Sequence, residues 1–436
     1  VQADLIARPV SRAVRVLGPV VLVVGLALYV AAYVRWPSLA SQVDLQVYRF
    51  GALRVWDGQD LYSVGMTGDS NTMLFAYTPF AALCFLPLIG LSQPAILAVG
   101  LLLNMAAVGY IVNRMLKAAG ITTATGLWGL TALLTAPIIW LEPVRLSLQL
   151  GQINLLIMAI VLADVLAQPP RRWTGIGIGI AAGIKLTPAL FIVFLVATGR
   201  RREAVVAGLT FVSTVAVGFV ALPADSIEFW LRGRFQDVRR ISSDPLANTS
   251  LTGLLARLDW ATRWESAAGV ILAIFAIAIA AVAWRRGHLL LGVAIAGMTS
   301  AAVSPFSWSH HWVWFAPLLV HLGLLGFVHR SRVAVLAMWT LAATFGGWFI
   351  ASRSSPPQAG LMSLRHPGTW DQLLPAAYVF ALCLVLVCSV YTIWRGRQHL
   401  AASTIGLDGI AGRAVGPREL RSIDSAHGRL APRYPG

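Results

Sequence analysis

Charge-free apolar stretches of about twenty residues recur from one end of this 436-residue chain to the other. A stretch of that length crosses the ~30 Å hydrocarbon core of a bilayer as a helix. Inside hydrocarbon only helices and closed barrels satisfy every backbone N–H and C=O. The chain is therefore expected to be an all-α polytopic membrane protein. Its composition agrees: 57% of residues are hydrophobic and 12% charged, against about one quarter charged in soluble domains. Twelve spans are expected, at 17–34, 75–90, 94–113, 122–140, 153–167, 174–197, 204–223, 267–284, 289–304, 312–328, 333–350 and 374–394. Residues 1–395 then form one transmembrane domain. Residues 396–436 are polar, dotted with Gly and Pro and rich in Arg, which reads as a disordered basic cytoplasmic tail.

The net charge of +16 does not call for nucleic acid, because much of it sits in short loops and the tail, where it orients the chain. With the N-terminus inside, strict alternation puts Gly199–Arg202, Arg285–His288, His329–Arg332 and Arg395–Arg397 on the cytoplasmic side, all of them basic. Loops 35–74, 224–266, 305–311 and 351–373 fall outside. The same count puts Arg114, Lys117, Arg171 and Arg172 outside and the loop Glu142–Gln152 inside, against the rule. A broken or re-entrant helix within 122–197 would relieve this. Arg8, Arg12 and Arg15 ahead of the first span resemble a signal sequence, here read as a retained anchor. Arg outnumbers Lys 32 to 2 in a chain rich in Ala, Gly and Val, which fits a GC-rich, actinobacterial genome. Cys84, Cys383 and Cys388 lie in apolar spans and read as buried packing residues rather than disulfides or metal ligands.

Polar residues at span mouths are the candidates for chemistry. Asp44 follows the first span and opens a short amphipathic stretch that reads as an interfacial helix; it is either a catalytic carboxylate or a helix cap. Ser304-Pro-Phe-Ser-Trp-Ser-His-His-Trp312 sets His310 and His311 between Trp308 and Trp312. Imidazoles bind phosphate oxygens and sugar hydroxyls, indoles stack on sugars, and the alternative is an aromatic belt. Adjacent histidines on a helix point about 100° apart, so the pair alone does not make a metal site. Lys185, in Gly183-Ile-Lys-Leu-Thr-Pro188, is a charge inside an apolar span, costly and functional by default. It suits a phosphate, or else a structural ion pair with Asp164. Gln152 and Asn154 follow Gly151 at a kinked helix start, and Tyr62 and Tyr77 mark an aromatic helix entry at Phe75-Ala-Tyr-Thr-Pro79.

In order, these pieces resemble glycosyltransferase family 87 of the polyprenol-phosphate-sugar-dependent (GT-C) superfamily. The matching segments are Asp44–Tyr48 with Gly51, Phe75–Pro79 with Pro87, Gly151–Asn154, Gly183–Pro188 and Ser304–His311, and Thr78 stands where a second Pro is expected. The resemblance implies a GT-C-like bundle with its active site outside and a polyprenyl-phosphate-mannose donor. It further implies a mannosylated phosphoinositide acceptor, α-1,2 linkage by inversion, and Asp44 as base. Lys185, His310 and His311 are then expected at the donor phosphate or sugar, and Tyr48, Tyr62, Tyr77, Gln152, Asn154, Trp308 and Trp312 along the substrate. No cofactor and no metal is called for, and the chain has no Asp-x-Asp pair or P-loop for a nucleotide sugar. Two alternatives stay open: the same reaction with an arabinofuranosyl or glucosyl donor, and a lipid-linked-sugar flippase. A flippase predicts related halves with matching broken helices, and only the helix at Lys185 reads as broken.

Overall fold

The computed structural model describes residues 11–68, 73–121, 123–167, 169–236, 247–258, 265–346, 361 and 374–392. Residues 237–246 and 259–264 of loop 224–266, most of loop 351–373 and the tail 396–436 lie outside them. Among the described residues there are helices and turns and no strand. Five helices are long and apolar enough to cross a membrane unaided: α1 (Arg12–Arg35), α4 (Gln93–Ala118), α10 (Arg201–Ala221), most of α13 (Glu265–Arg285) and the helix Leu374–Thr392. A bent pair, α5 (Ala124–Ile139) and α6 (Glu142–Leu150), turns by 79° and makes a sixth. Shorter apolar helices complete the bundle: α7 (Asn154–Val165), α14 (Leu289–Ala302), α15 (Phe315–Phe327) and α16 (Arg332–Gly346).

Two of the twelve expected spans turn back instead of crossing. The first is 75–90. Pro79 opens α3 (Pro79–Cys84) and Pro87 follows in a 3-10 turn (Leu86–Gly90). Both pieces are far below the ~20 residues a crossing needs. Their neighbours confirm the turn. Helices α1 and α5 run in the same direction, with Gly18 on the Gly129 backbone, Gly25 on Ala136 and the Tyr29 ring edge-on to Trp140 at 6.0 Å. Helix α4 starts beside Gln42 and Leu45 at Gly100 and ends with Arg114 donating to the Ala163 carbonyl at the far end of α7. The chain thus leaves α1 and enters α4 on the side where Asp44 lies.

The second is 174–197, which is a helical hairpin of α8 (Ile176–Ile184) and α9 (Leu190–Ala197) joined by a 3-10 turn at Thr187–Ala189. Lys185 has extended backbone (φ −142°, ψ 131°) and ends α8. Pro188 lacks the N–H that a continuous helix would use there. Helix α8 lies parallel to α10, with Gly175 on Glu203, Gly179 on Ala207 and Thr210, and Gly183 on Thr214. Small residues at four-residue spacing permit this close approach. Because α9 ends just before α10 begins, it returns to the level where α8 started.

With both segments turned back, the misfit in the basic loops disappears. Arg200 donates to the Val165 carbonyl, Arg202 to that of Arg172 and Arg285 to that of Ala197. These residues and Arg114 gather at one end, away from Asp44. The segment Glu142–Gln152, placed on the basic side by simple alternation, lies on the Asp44 side, because Gln152 binds Asp44 directly. The three cysteines are free as expected but exposed rather than buried; Cys84 sits on the outward face of α3.

Candidate active site

Asp44 is the second residue of α2 (Val43–Trp56), the expected short helix after the first span. It does not cap that helix. The cap position is Gln42, fully buried and in the left-handed region at φ 49°, with its amide nitrogen bonded to the Leu148 carbonyl. Asp44 is therefore free to face a polar partner, and its Oδ2 accepts Gln152 Nε2 at 2.6 Å. Gln152 reaches it because α6 ends at Gly151 in the left-handed conformation (φ 72°) that glycine adopts without cost. The Gln152 amide is oriented unambiguously. Its oxygen accepts the Tyr48 hydroxyl at 2.9 Å and the Tyr77 hydroxyl at 3.1 Å. The two phenols lie 2.8 Å apart, and Tyr48 stacks on Phe85 at 4.6 Å. Burial raises the Asp44 carboxyl to about 6, with the Gln152 hydrogen bond and a charged Lys185 working against that rise.

The opposite wall comes from the α8–α9 hairpin and from a 3-10 turn at Ser309–Trp312. Lys185 Nζ donates to Asn154 Oδ1 at 2.8 Å and lies 3.0 Å from His311 Nε2 and 5.4 Å from the centroid of the Tyr77 ring. Asn154 is oriented by donating Nδ2 to the His310 carbonyl at 3.0 Å. The alternative partner, Asp164, is engaged elsewhere: it accepts the Gly175 and Ile178 N–H groups at the start of α8. Thr78 takes two roles where a proline was expected. It caps α3 by accepting the Ala81 N–H and donates its hydroxyl to the Gly183 carbonyl, which ties the α3 entry to the hairpin apex.

A cavity of about 790 Å³ runs between the two walls. Asp44, Tyr48, Tyr77, Gln152, Lys185, His311 and Trp308 line its polar end. Ile184, Leu186, Phe229, Val270, Ala273, Val303 and Phe306 line much of the rest, with Gln236, Thr252, Ser266 and Ser304 among them. The lining thus offers charged groups together with a largely apolar surface. Burial pushes the His311 imidazole well below its usual range, so it is neutral at neutral pH.

The other expected site residues stand behind this wall. Tyr62 donates its hydroxyl to the Tyr77 carbonyl and stacks on Phe229. Trp312 is fully buried, with Nε1 bonded to Thr249 Oγ1 at 3.0 Å. His310 is 4% exposed and does not line the cavity. Asn154 lines only a water-sized space of about 20 Å³ behind Lys185 and His311. Two residues missed in the sequence hold the histidine turn. Asn248 donates to the Pro305 carbonyl and accepts the Ser307 N–H, and Thr249 donates to the Ser307 carbonyl. The signal for them was slight: Asn-Thr-Ser ahead of an apolar helix.

The sequence profile of glycosyltransferase family 87 matches residues 75–305. A protein of Mycobacterium tuberculosis (strain ATCC 25618 / H37Rv) is 32% identical over 414 residues, 88% of this chain and 93% of its own length; it is named polyprenol-phosphate-mannose-dependent alpha-(1-2)-phosphatidylinositol mannoside mannosyltransferase. A protein of the same name from Mycolicibacterium smegmatis (strain ATCC 700084 / mc(2)155) is 32% identical over 394 residues, 81% of this chain and 86% of its own. A third, from M. tuberculosis (strain CDC 1551 / Oshkosh), named for transfer to phosphatidylinositol pentamannoside, is 30% identical over 384 residues, 84% of this chain and 85% of its own. No solved structure matches.

Proposed function

The chain belongs to glycosyltransferase family 87, and on that premise we propose that it is an α-1,2-mannosyltransferase. It moves mannose from polyprenyl-phosphate-mannose to a mannose of a phosphatidylinositol mannoside, as the names of its relatives describe for them. The observation that carries this reading is one cavity with a held carboxylate on one wall, an amine and an imidazole on the other, and a largely apolar remainder.

In this reading the transfer is a single displacement with inversion. Asp44 takes the proton of the acceptor hydroxyl as that oxygen attacks the anomeric carbon. Gln152, held by two phenols, keeps the carboxylate aimed. Lys185 and His311 offset the charge that grows on the departing phosphate, in a buried site where such contacts count for more than in water. His310 acts through its backbone, by orienting Asn154. The isoprenyl chain follows the apolar lining past Val270 and Ala273 on α13.

The site faces the periplasm or cell exterior in this reading, and both termini are cytoplasmic. The support is electrostatic: the basic residues Arg114, Arg200, Arg202 and Arg285 share the end opposite Asp44, where short basic loops stay inside. The test is purified protein with polyprenyl-phosphate-mannose and phosphatidylinositol mannosides, with mass and linkage analysis of the product. One added hexose in α-1,2 linkage is expected. Transfer only from an arabinofuranosyl or glucosyl phosphate would move the assignment to another sugar. Movement of the lipid-linked sugar across vesicles without transfer would make the protein a flippase.

A further inference from the structure

His311 is approached by a hydrogen-bonding group at each ring nitrogen, and the two approaches together determine where its proton lies. Nδ1 accepts the backbone N–H of Trp308 at 3.3 Å. A backbone N–H can only donate, so Nδ1 carries no hydrogen. A neutral imidazole has one hydrogen, which must then be on Nε2. Nε2 faces Lys185 Nζ at 3.0 Å. An ammonium has three donors and no acceptor. Nε2–H against an ammonium would set donor against donor inside a buried site, where an unmade hydrogen bond is costly.

One arrangement satisfies every contact: an amine with its lone pair exposed. Asn154 is already oriented by the His310 carbonyl, so its oxygen accepts from Nζ. The amine then gives one N–H to Asn154, receives Nε2–H on its lone pair, and keeps one N–H for the cavity. Other groups facing it pull the other way. The Asp44 carboxylate acts from α2, and the face of the Tyr77 ring lies 5.4 Å from Nζ. His310, its ring 4.8 Å from that of His311, is buried and neutral on the far side; Tyr48 meets the cavity as a neutral phenol. The amine is thus poised between two states. Charging it requires His311 to present a bare Nε2, which moves the ring hydrogen to Nδ1 and breaks the bond to Trp308.

We propose that Lys185 and His311 form a proton-accepting pair, in which a resting neutral amine takes up a proton as the departing lipid phosphate gains its second negative charge. This rests on the reading of the site as a lipid-phosphate glycosyltransferase. The donor is a phosphodiester with one negative charge. In the transfer its bond between the anomeric carbon and the phosphate oxygen breaks, and the electron pair stays on that oxygen. The acceptor oxygen bonds to the anomeric carbon, and its proton passes to Asp44. The product is a phosphate monoester that carries close to two negative charges near neutral pH. The amine takes its proton from water in the cavity and gives it back as the lipid phosphate leaves, and Asp44 passes the acceptor's proton to water when the base resets, so both groups return to their resting states and each turnover releases one proton.

The chain makes a clean test possible, because Lys117 and Lys185 are its only lysines and Lys117 is exposed near the end of α4. Competitive trace acetylation of the full chain in detergent, read by mass spectrometry of the two lysine peptides, gives a labelling midpoint for each. Lys185 is expected to reach half-labelling roughly 2 pH units or more below Lys117, within the range that burial produces. In His311→Gln the side-chain oxygen accepts from an ammonium, and the Lys185 midpoint should rise by about a unit or more. Coincident midpoints in the wild type, or no rise in the variant, would overturn the pair. Nitrogen-15 spectra of histidine-labelled protein read the tautomer without labelling; the signals lost in His311→Gln should show a bare Nδ1 and a protonated Nε2, and the reverse would overturn the proposal. A short-chain isoprenyl phosphate should raise the Lys185 midpoint, and the matching isoprenyl alcohol should not. If the free-protein results hold but the phosphate has no effect while mannosyl transfer is intact, the coupling to the leaving group is overturned. If transfer is absent as well, the functional reading falls with it.

Discussion

At the scale of single residues, transfer depends on how Asp44 is held. Its carboxyl is raised to about 6 by burial. A base works deprotonated, so kcat/KM should rise with pH through about 6 and level off above it. The effect on stability has the opposite sign. A carboxyl raised on folding stabilises the native state fully below its unfolded value, and that contribution is lost as pH rises through about 6. Asp44→Asn should therefore melt at or above the wild-type temperature at pH 7. Gln152→Leu removes a hydrogen bond to a charged group, about 1.5–3 kcal/mol, and should lower kcat/KM roughly 10–100-fold at pH 7. It should also move the acidic limb to higher pH, because Gln152 lowers the Asp44 value. An unchanged limb in Gln152→Leu would mean that the amide does not hold the carboxylate during turnover. Much of this site was legible in the sequence, since Asp44, Gln152, Asn154, Lys185 and His311 are polar residues in apolar surroundings. Residue type could not say which aromatics face the cavity. Trp308 lines it, whereas Trp312 is buried on Thr249.

At the scale of elements, the α8–α9 hairpin carries Lys185 to the site from the basic end of the bundle. Its first arm is seated by glycines against α10. A Cβ at Gly179 would meet the Ala207 carbonyl oxygen and Thr210 Cβ at 2.5 Å, whereas a Cβ at Gly208 meets nothing within 4 Å. Gly179→Leu should cost about 1–3 kcal/mol by overpacking and depress transfer by displacing the hairpin apex. Gly208→Ala should leave both stability and transfer near wild type. Thermal melts in detergent beside transfer rates check this, and equal behaviour of the two variants would remove the hairpin from the account. The break at Lys185 was readable from Pro188. The return of α9 was not, because an apolar helix that crosses and one that turns back have the same composition. The same holds for 75–90, where Pro79 and Pro87 mark the ends of short helices without saying on which side the chain emerges.

At the scale of the whole molecule, turning two segments back brings every basic loop that was misplaced to one end and every candidate site residue to the other. Single cysteines at 44 and at the exposed position 57 should react with an impermeant reagent applied to intact cells, and those at 114 and 201 should not. Reaction at 201 without reaction at 44 would invert the orientation. Deletion of the gene in its host should let a less-mannosylated phosphatidylinositol mannoside accumulate, and the wild-type gene should restore the profile. One half-buried carboxylate, Asp44, performs the transfer in this reading. Its most direct test is the rate of mannose transfer from polyprenyl-phosphate-mannose by purified wild type and Asp44→Asn, both shown to be folded. Asparagine can still accept the Gln152 hydrogen bond but cannot take the proton. A loss on the order of 10²–10⁴-fold is expected, and near-normal turnover by the folded variant would contradict Asp44 as the base.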